Sequence, residues 1–332
     1  MWFAFCIRLT SPTHNENLNK MKMLSRISGL VLCAYAASGF ASVDNVGTYN
    51  LILKNDLNTS SDIEGRIMIG GDINMAGKSL DVGSRIPADP LVDAVTVLGD
   101  ITANDVKTQN GNIVYGGSVG STTLINNGTG SAFQLAQGLL QTRFDDIYQS
   151  VIDDSDYYKT LTANGTFNTS DMNKKLFESS SSDDLLVFNI SGNDLQSGGL
   201  EFGFTPSVPM IINVSGSGTL NINAKAQGNF DKNTVSPLVL WNFYDYTGLN
   251  FNGDGWNGSV LAPYADITSY TGSLDGGIAA LSYTGGVEVH NKLFTYEPPQ
   301  DEQTPVSAPS AAVLLFGGVL LVMRQRRKHA AV

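Results

Sequence analysis

Short apolar segments separated by turn-forming residues recur along most of the chain. Each segment has three to six residues, is rich in β-branched and aromatic side chains, and is bounded by Gly, Asn, Ser or Asp. This pattern is typical of short β-strands. It predicts strands at residues 66–69, 95–98, 112–115, 185–190, 210–214, 220–224, 238–243, 260–262, 278–281 and 287–289.

Three early segments share one local pattern, in which an apolar strand meets a glycine corner and another apolar position follows. The corners lie at Gly71, Gly99 and Gly117, separated by 28 and then 18 residues. Strands and tight corners that stack on copies of themselves predict a mainly β protein with a β-solenoid, or β-helix-like, body. Because the period is irregular, a β-sandwich is the alternative.

One segment departs from the β pattern. From residue 131 to 152, apolar residues recur at steps of three and four, which predicts one face of an amphipathic helix. We expect this helix to pack along the sheet or to cap its end, with residues 153–184 as a polar connection. An exposed helix that binds a partner is the alternative. The apolar positions of the face are Phe133, Ala136, Leu140, Phe144, Ile147 and Val151.

The N-terminal region contains a predicted signal peptide. Residues 21–41 combine a short basic region, an apolar core and small residues at the end, so signal peptidase is expected to cut between Ala41 and Ser42. Residues 1–20 are too polar to belong to such a signal. We interpret them as a mis-annotated start, with an unusually long leader as the alternative.

The last 27 residues, 306–332, predict a sorting and anchoring signal that follows a linker over residues 299–305. A short motif precedes an apolar stretch that ends at Met323, and a basic cluster closes the chain. The 18 residues from 306 to 323 lie at the lower edge of the roughly 17–25 that span a bilayer. This stretch has two possible interpretations: a permanent transmembrane segment, or a transient anchor that is later removed. The basic residues, which favour the cytoplasmic side, are Arg324, Arg326, Arg327 and Lys328.

This layout resembles the PEP-CTERM signal of Gram-negative bacteria, which exosortase processes. Val306 and Pro309 match the Val-Pro-Glu-Pro-like motif of that signal, whereas Ser307 and Ala308 depart from its first proline and its glutamate. The resemblance implies an exosortase-like processing enzyme as a partner. It also implies delivery to the envelope or surface of a Gram-negative bacterium, with the product either anchored in the membrane or released.

The chain is acidic, with a formal net charge of −11 at pH 7. Both terminal signals are basic, so the body between them is more acidic than the whole chain. Such a body repels nucleic acid and anionic lipid. We therefore expect no nucleic-acid partner.

Few residues could support catalysis in the body. Cys6 and Cys33 precede the predicted cleavage site, which leaves no disulfide, thiol nucleophile or cysteine-bound metal. His290 is the only histidine of the body, because His14 and His329 lie in the terminal segments. With one candidate base and few zinc ligands, the sequence predicts neither catalytic residues nor a metal site.

Carboxylates are the remaining candidates for chemistry. Asp72 and Asp100 follow equivalent glycine corners, so stacking would bring them together, and a glycosidase or lyase needs only one well-placed pair. Aspartate also suits turns because it bonds to nearby backbone amides, and this is the simpler interpretation. The oxygen-rich run 252–255 could hold calcium loosely but lacks the spacing of an EF-hand. No other cofactor is expected.

Aromatic residues are concentrated between positions 241 and 264. Trp241 lies on a strongly apolar segment and is expected to be buried. Tyr246 and Trp256 lie among glycines, and we expect them to be the best exposed candidates for stacking on a sugar or a protein partner. Core packing of the cluster is the alternative.

A set of glycine-rich motifs runs through the body, at residues 63–72, 98–100, 114–117, 257–263, 275–277 and 288–290. With these motifs in this order, the body resembles the choice-of-anchor A domain, over residues 43–298. This resemblance implies an exported, β-rich surface domain, and some members are described as collagen-binding; it implies no catalytic residue and no settled ligand.

Two hypotheses for the function follow. The first is a non-catalytic surface protein that binds extracellular polysaccharide or a matrix protein. The alternative is a carbohydrate-active β-solenoid enzyme that uses Asp72 and Asp100.

Overall fold

The computed structural model describes residues 47–75, 77–231 and 234–296. These residues belong to the predicted β-rich body. The predicted signal peptide with its cleavage site, the linker and the C-terminal signal lie outside the described residues. Within the described part, no helix is both long enough and apolar enough to cross a membrane.

Before the helix, the described residues form eleven short strands. Most consist of two to four residues, as expected for short apolar segments bounded by turn-forming residues. The strands are β1 (Leu51–Leu53), β2 (Leu57–Asn58), β3 (Ile67–Ile69), β4 (Ile73–Asn74), β5 (Ser79–Val82), β6 (Asp93–Val97), β7 (Ile101–Thr102), β8 (Asp105–Thr108), β9 (Asn112–Tyr115), β10 (Thr123–Asn126) and β11 (Ala132–Gln134).

The helix α1 (Gln137–Thr160) follows, and fourteen strands come after it in the described residues. These strands are β12 (Thr166–Asn168), β13 (Lys175–Glu178), β14 (Leu186–Ser191), β15 (Gly199–Phe202), β16 (Met210–Ser215), β17 (Gly218–Ile222), β18 (Lys225–Ala226), β19 (Val239–Asn242), β20 (Tyr246–Phe251), β21 (Trp256–Asn257), β22 (Ser259–Ser269), β23 (Leu274–Asp275), β24 (Ile278–Gly285) and β25 (Val289–His290). Two short 3-10 helices cover Gly192–Leu195 and Ser236–Leu238.

The strands stack as the coils of a β-solenoid. One coil contains β3, β4 and β5, the next contains β6, β7 and β8, and equivalent strands pair in parallel. The register places Ile67, Val95 and Ile113 directly above one another. Such parallel stacking confirms the predicted solenoid and excludes the alternative β-sandwich, whose sheets are antiparallel.

The order of the coils does not follow the order of the sequence. Strand β1 lies between β3 and β24, so the N-terminal coil occupies the middle of the stack. We call this junction the seam; it consists of the β1–β24 and β2–β24 pairs and a bridge between Ile63 and Val289. Helix α1, about 36 Å long for its 24 residues, returns the chain from β11 at one end of the stack to the coils that begin with β14.

The first face of the solenoid is formed by β11, β9, β6, β3, β1, β24, β22, β19, β16 and β14, in that order. It is buried on both sides, because α1 packs over its outer surface. Strands such as Leu51–Leu53 and Ile67–Ile69 are buried at every position, which explains their continuous apolar runs. The helix is buried along one side through Leu140, Phe144, Ile147, Tyr148, Val151, Ser155 and Tyr158.

The helix begins and ends later than the sequence predicted. Phe133 lies in β11 and is 38% exposed, because residues 132–134 continue the ladder beside β9. Beyond Val151, the buried side continues through Ser155 and Tyr158, which an apolar pattern does not reveal. The predicted connection over residues 153–184 was also wrong in part, since it contains the last turns of α1 as well as β12 and β13.

Candidate binding face

The second face of the solenoid is formed by β17, β20, the end of β22, the end of β24, β2, β4 and β7, in that order. We call it the array face. Its strands alternate: on β4, Ile73 is buried in the core, while Asn74 is exposed and Asp72 is half-buried. The alternation follows from the two-residue period of a β-strand. It gives the face an apolar inner side and a polar outer side.

The same three-residue pattern recurs on neighbouring coils. Asp–apolar–Asn/Thr triplets occupy residues 56–58, 72–74, 100–102 and 266–268. The registers place Leu57, Ile73 and Ile101 above one another in the core, so the flanking polar residues are also aligned. Each outer column therefore repeats at the strand spacing of about 4.8 Å, and the two columns are separated by about 6.7 Å.

We name the two columns by their chemistry. The carboxylate column occupies the first position of each triplet and the amide–hydroxyl column the third. The carboxylate column contains Asp266, Ser282, Asp56, Asp72 and Asp100, continued by Ser118. The amide–hydroxyl column contains Asn221, Asn250, Thr268, Thr284, Asn58, Asn74 and Thr102, all exposed or half-buried.

Hydrogen bonds fix the carboxylate column along the stack. Asp56 Oδ1 accepts the backbone N–H of Asp72 at 2.8 Å, and Asp72 Oδ1 accepts that of Asp100 at 2.7 Å. Asp100 Oδ1 accepts the N–H of Ser118 at 2.7 Å. Asp72 and Asp100 are thus stacked on adjacent coils, as the sequence predicted, and both carboxylates bond to backbone amides. This contact corresponds to the simpler of the two roles considered for these aspartates.

The glycine corners exist because of this column. A Cβ atom on Gly99 would overlap Asp72 Oδ1, and one on Gly117 would overlap Asp100 Oδ1. The side chain of one coil therefore occupies the space that a side chain at the next corner would need. This explains the repeated Gly–Asp pattern of the sequence.

One end of the amide–hydroxyl column, from Asn221 to Thr268, is ordered by its own side-chain bonds. Asn250 Nδ2 donates to Asn221 Oδ1 at 2.8 Å, and Thr268 Oγ1 donates to Asn250 Oδ1 at 2.6 Å. These bonds hold successive side chains in a row and leave hydroxyl and amide groups on the surface. Sequence reasoning missed this column. The Asp–apolar–Asn/Thr triplet, which recurs four times in the body, is the signal that could have revealed it.

The prediction that Tyr246 and Trp256 are exposed is wrong, since each is only 4% exposed. Both lie on strands rather than in open turns, and their side chains point into the solenoid. The hydroxyl of Tyr246 donates to the Ser215 carbonyl at 3.0 Å, and the Trp256 ring lies 4.6 Å from that of Trp241. Trp241 is buried, as expected. Most of the aromatic cluster therefore packs in the core, whereas Tyr264 is 40% exposed.

The other predicted sites lie on the third face, which contains β5, β8, β10, β21, β23 and β25. Within the run 252–255, Asp254 forms an ion pair with Lys225 and lines a surface pocket of about 330 Å³ together with Asp231 and Asp275. Calcium binding there stays a prediction. His290 is half-buried, and its Nδ1 atom lies 2.5 Å from Asp275 Oδ1.

Stacked parallel coils, a helix along one face and an ordered polar array on another define a β-solenoid domain with a regular polar face. A family model described as an ice-binding-like adhesive domain matches residues 42–291. Since the match covers most of the chain, the protein belongs to this family of adhesion-type surface domains. The family agrees with the resemblance to choice-of-anchor A domains, whereas the C-terminal sorting signal stays a prediction.

Two solved structures show a weaker similarity. The ice-binding protein of the Antarctic ascomycete Antarctomyces psychrotrophicus is 13% identical over 74% of this chain and 96% of its own, with a TM-score of 0.30. An ice-binding protein from an Antarctic bacterium, Flavobacteriaceae, is 12% identical over 75% of this chain and 81% of its own, with a TM-score of 0.28. Scores this low carry no argument, so the fold rests on the strand pairing described above. No curated protein matches the chain significantly.

Proposed function

We propose that the protein is an exported, surface-anchored and non-catalytic adhesin whose array face binds an extracellular polysaccharide. The observation that carries this proposal is the alignment of the carboxylate and amide–hydroxyl columns over successive coils. The columns present donors and acceptors at a regular interval along the outer side of the array face. A polymer with repeated hydroxyl groups can contact many such groups at once.

Repetition compensates for the weakness of each contact. A single hydrogen bond to an exposed side chain contributes about 0.5–1.5 kcal/mol. When one bond has formed, the next sugar of the same chain is already close to the next coil, so the remaining bonds form at a high effective concentration. The aspartates give the face negative charge, which favours neutral over anionic polysaccharides.

The route to the surface is part of the same proposal. Signal peptidase would release the N-terminal signal at Ala41, and an exosortase-like enzyme would act at residues 306–309 in the envelope of a Gram-negative bacterium. The intact mass of the protein from its own cells tests this route. A mass that starts at Ser42 and ends near Pro309 is expected, and a mass that ends at Val332 would contradict processing.

Retention on insoluble polysaccharides tests the binding face. The protein should be retained by at least one neutral polysaccharide, and the variant Asn74→Ala/Thr102→Ala should lose most of this retention. Its matched control is Gln109→Ala/Thr123→Ala, which removes one amide and one hydroxyl from exposed positions away from the array. Equal retention of both variants, or no retention of the unchanged protein, would overturn the proposal.

Ice is a second candidate ligand, favoured by the regular spacing of Asn and Thr along the amide–hydroxyl column. Ice is a lattice, so it would need both columns to be flat and evenly spaced. Freezing-point depression measured during slow ice growth distinguishes the two ligands. A depression that the Asn74→Ala/Thr102→Ala variant loses would favour ice, whereas no depression together with retention on polysaccharide would exclude it.

A further inference from the structure

Three potential metal ligands converge at the seam. One ligand atom from each of Glu64, Glu288 and His290 lies within 4.8 Å of the other two. Glu64 belongs to the N-terminal coil, whereas Glu288 and His290 belong to the last coil. The coils meet through the bridge between Ile63 and Val289 and through a 3.0 Å hydrogen bond from Glu64 N–H to the Val289 carbonyl. The cluster therefore forms only when the two distant parts of the chain stack.

The imidazole of His290 is oriented for metal binding. Asp275 on the adjacent coil is aligned with His290, and only 7% of its side chain is exposed. Nδ1 of His290 lies 2.5 Å from Asp275 Oδ1. A carboxylate oxygen only accepts, so Nδ1–H is the donor here, and in the neutral imidazole the free lone pair is then on Nε2. A carboxylate that fixes the second nitrogen in this way is the usual support of a metal-bound histidine.

The distance between His290 Nε2 and the Glu288 carboxylate fits the coordination of a small tetrahedral ion. Nε2 lies 3.5 Å from Oε2 of Glu288. Two ligands bound to zinc at about 2.0–2.1 Å in tetrahedral geometry lie about 3.4 Å apart. Glu288 and His290 are therefore close to a binding arrangement before any ion arrives, and the ligand atom of Glu64 lies within 4.8 Å of both.

Of the two neighbouring cations, Lys292 pairs with a residue outside the three ligands, whereas Arg85 pairs with the ligand Glu64. Lys292 Nζ lies 2.6 Å from Asp275 Oδ2, the oxygen that does not face His290. Arg85, with 69% of its side chain exposed, lies 3.2 Å from Glu64 Oε1, while the N–H of Asn291 donates to Glu64 Oε2 at 2.9 Å. A carboxylate oxygen has a second lone pair, so Glu64 can accept these bonds and still bind a metal.

We propose that Glu64, Glu288 and His290 bind one divalent transition-metal ion, best suited to Zn²⁺, and that the bound ion fastens the N-terminal coil to the last coil. Imidazole favours zinc over calcium and magnesium, and zinc accepts carboxylate oxygens as well. Three protein ligands leave a fourth position for water. The site lies on the third face and does not depend on the proposed adhesion. It departs from the sequence analysis, which predicted no metal site.

Zinc titration of the full chain without an affinity tag, after treatment with a chelator, tests the proposal. One Zn²⁺ should bind per chain, raise the melting temperature and slow amide exchange at Glu64 and Val289, which lie on opposite sides of the seam. The substitutions Glu288→Gln and His290→Gln should each weaken zinc binding at least tenfold. Asp275→Asn should weaken it about 10–100-fold, since it supports the ligand without touching the metal.

Asp245→Asn is the matched control, because Asp245 is an exposed carboxylate in an ion pair with Lys159, as Glu288 is an exposed carboxylate beside His290. Its zinc affinity should not change. No zinc binding, or binding that Glu288→Gln and His290→Gln leave unchanged, would overturn the proposal. A larger effect of Ca²⁺ than of Zn²⁺ on the melting temperature would do the same. Circular dichroism identifies a variant that does not fold, and Glu288→Gln, at a half-exposed side chain, then decides the result.

Discussion

Asp72 Oδ1 accepts a hydrogen bond of 2.7 Å from the backbone N–H of Asp100, which occupies the same position on the next coil. The link is repeated from Asp56 to Asp72 and from Asp100 to Ser118. It joins four coils along one edge of the array face, in addition to the hydrogen bonds between strands. Because the acceptor is charged, each bond is stronger than a neutral one. The carboxylate column thus presents polar groups on the array face and also stabilises the stack of coils.

Removing one acceptor should therefore weaken the stack. Asp72→Ala leaves the Asp100 amide without its acceptor, so we expect the free energy of unfolding to fall by about 1–3 kcal/mol. Asp72→Asn retains an Oδ1 atom and should lose less, because the acceptor stays although its charge is gone. Denaturant unfolding of both variants measures the difference. If Asn and Ala cost the same, the hydrogen bond has no part in stability.

A side chain at a glycine corner should also destabilise the stack. In Gly99→Ala, the new Cβ atom would overlap Asp72 Oδ1 and lie 2.7 Å from the Gly71 carbonyl oxygen. Overpacking of this kind costs about 1–3 kcal/mol. The control is Gly138→Ala in α1, where an added Cβ atom has no neighbour within 4 Å; stability should stay equal or rise by up to about 1 kcal/mol. A Gly99→Ala protein as stable as the control would contradict this account of the corners.

The solenoid could be predicted because its cause is local. Apolar strands, glycine corners and the aspartates after Gly71 and Gly99 are visible in the sequence. The corners need glycine because the aspartate side chains of neighbouring coils occupy the space of a Cβ atom. The order of the coils could not be predicted. The pairing of Leu51 with Ile278 joins residues at opposite ends of the body, and nothing in either segment specifies the other.

The functional surface was harder to predict for a different reason. Tyr246 and Trp256 have the chemistry of a binding site, but strand alternation turns both into the core. Asn74 and Thr102 are common residue types, and they form part of a candidate binding surface only because the strand register aligns them. Likewise, Glu64 and His290 are 226 positions apart in the chain, and only the seam brings them together.

Strong alkali should unfold the protein through its buried tyrosines. Burial raises the pKa values of Tyr148, Tyr158 and Tyr283 above the ordinary phenol value of 10.0. Their folded pKa values are higher than their unfolded ones, so their contribution to stability is complete below pH 10 and is lost as the pH rises above it. Phenolate absorbance and far-ultraviolet circular dichroism, followed together, should show these tyrosines ionising as the chain unfolds.

Tyr148→Phe provides the comparison for this pH effect. The variant lacks the Tyr148 hydroxyl, whose pKa is raised by burial, and the 2.6 Å hydrogen bond that this hydroxyl donates to the Pro263 carbonyl. It should therefore be less stable at neutral pH. Above pH 10 its free energy of unfolding should fall less steeply than that of the unchanged protein, because one fewer proton is released on unfolding. Equal slopes would show that Tyr148 does not contribute to alkaline unfolding.

A buried amide ladder connects α1 to the first face. Asn242 is fully buried; its Oδ1 accepts the Ser155 hydroxyl at 2.6 Å, and its Nδ2 donates to the Ser155 carbonyl and to Asn213 Oδ1, both at 2.9 Å. Asn213 continues the ladder by donating to the Tyr158 carbonyl at 2.8 Å and to Asn189 Oδ1 at 3.2 Å. The last turns of the helix are therefore held by hydrogen bonds rather than by apolar contacts alone.

Breaking this ladder at its centre should be costly. Asn242→Leu leaves the Ser155 hydroxyl and Asn213 Oδ1 buried without these partners. We expect these two unsatisfied groups to lower the free energy of unfolding by about 2–4 kcal/mol. Asn189→Ala is the matched control, because Asn189 is exposed at the outer end of the ladder and contributes one 3.2 Å bond. Its loss should stay below about 1 kcal/mol. Thermal unfolding compares the two. If Asn242→Leu is as stable as Asn189→Ala, the helix is held by Leu140, Phe144 and Ile147, and the buried amides serve only to satisfy one another.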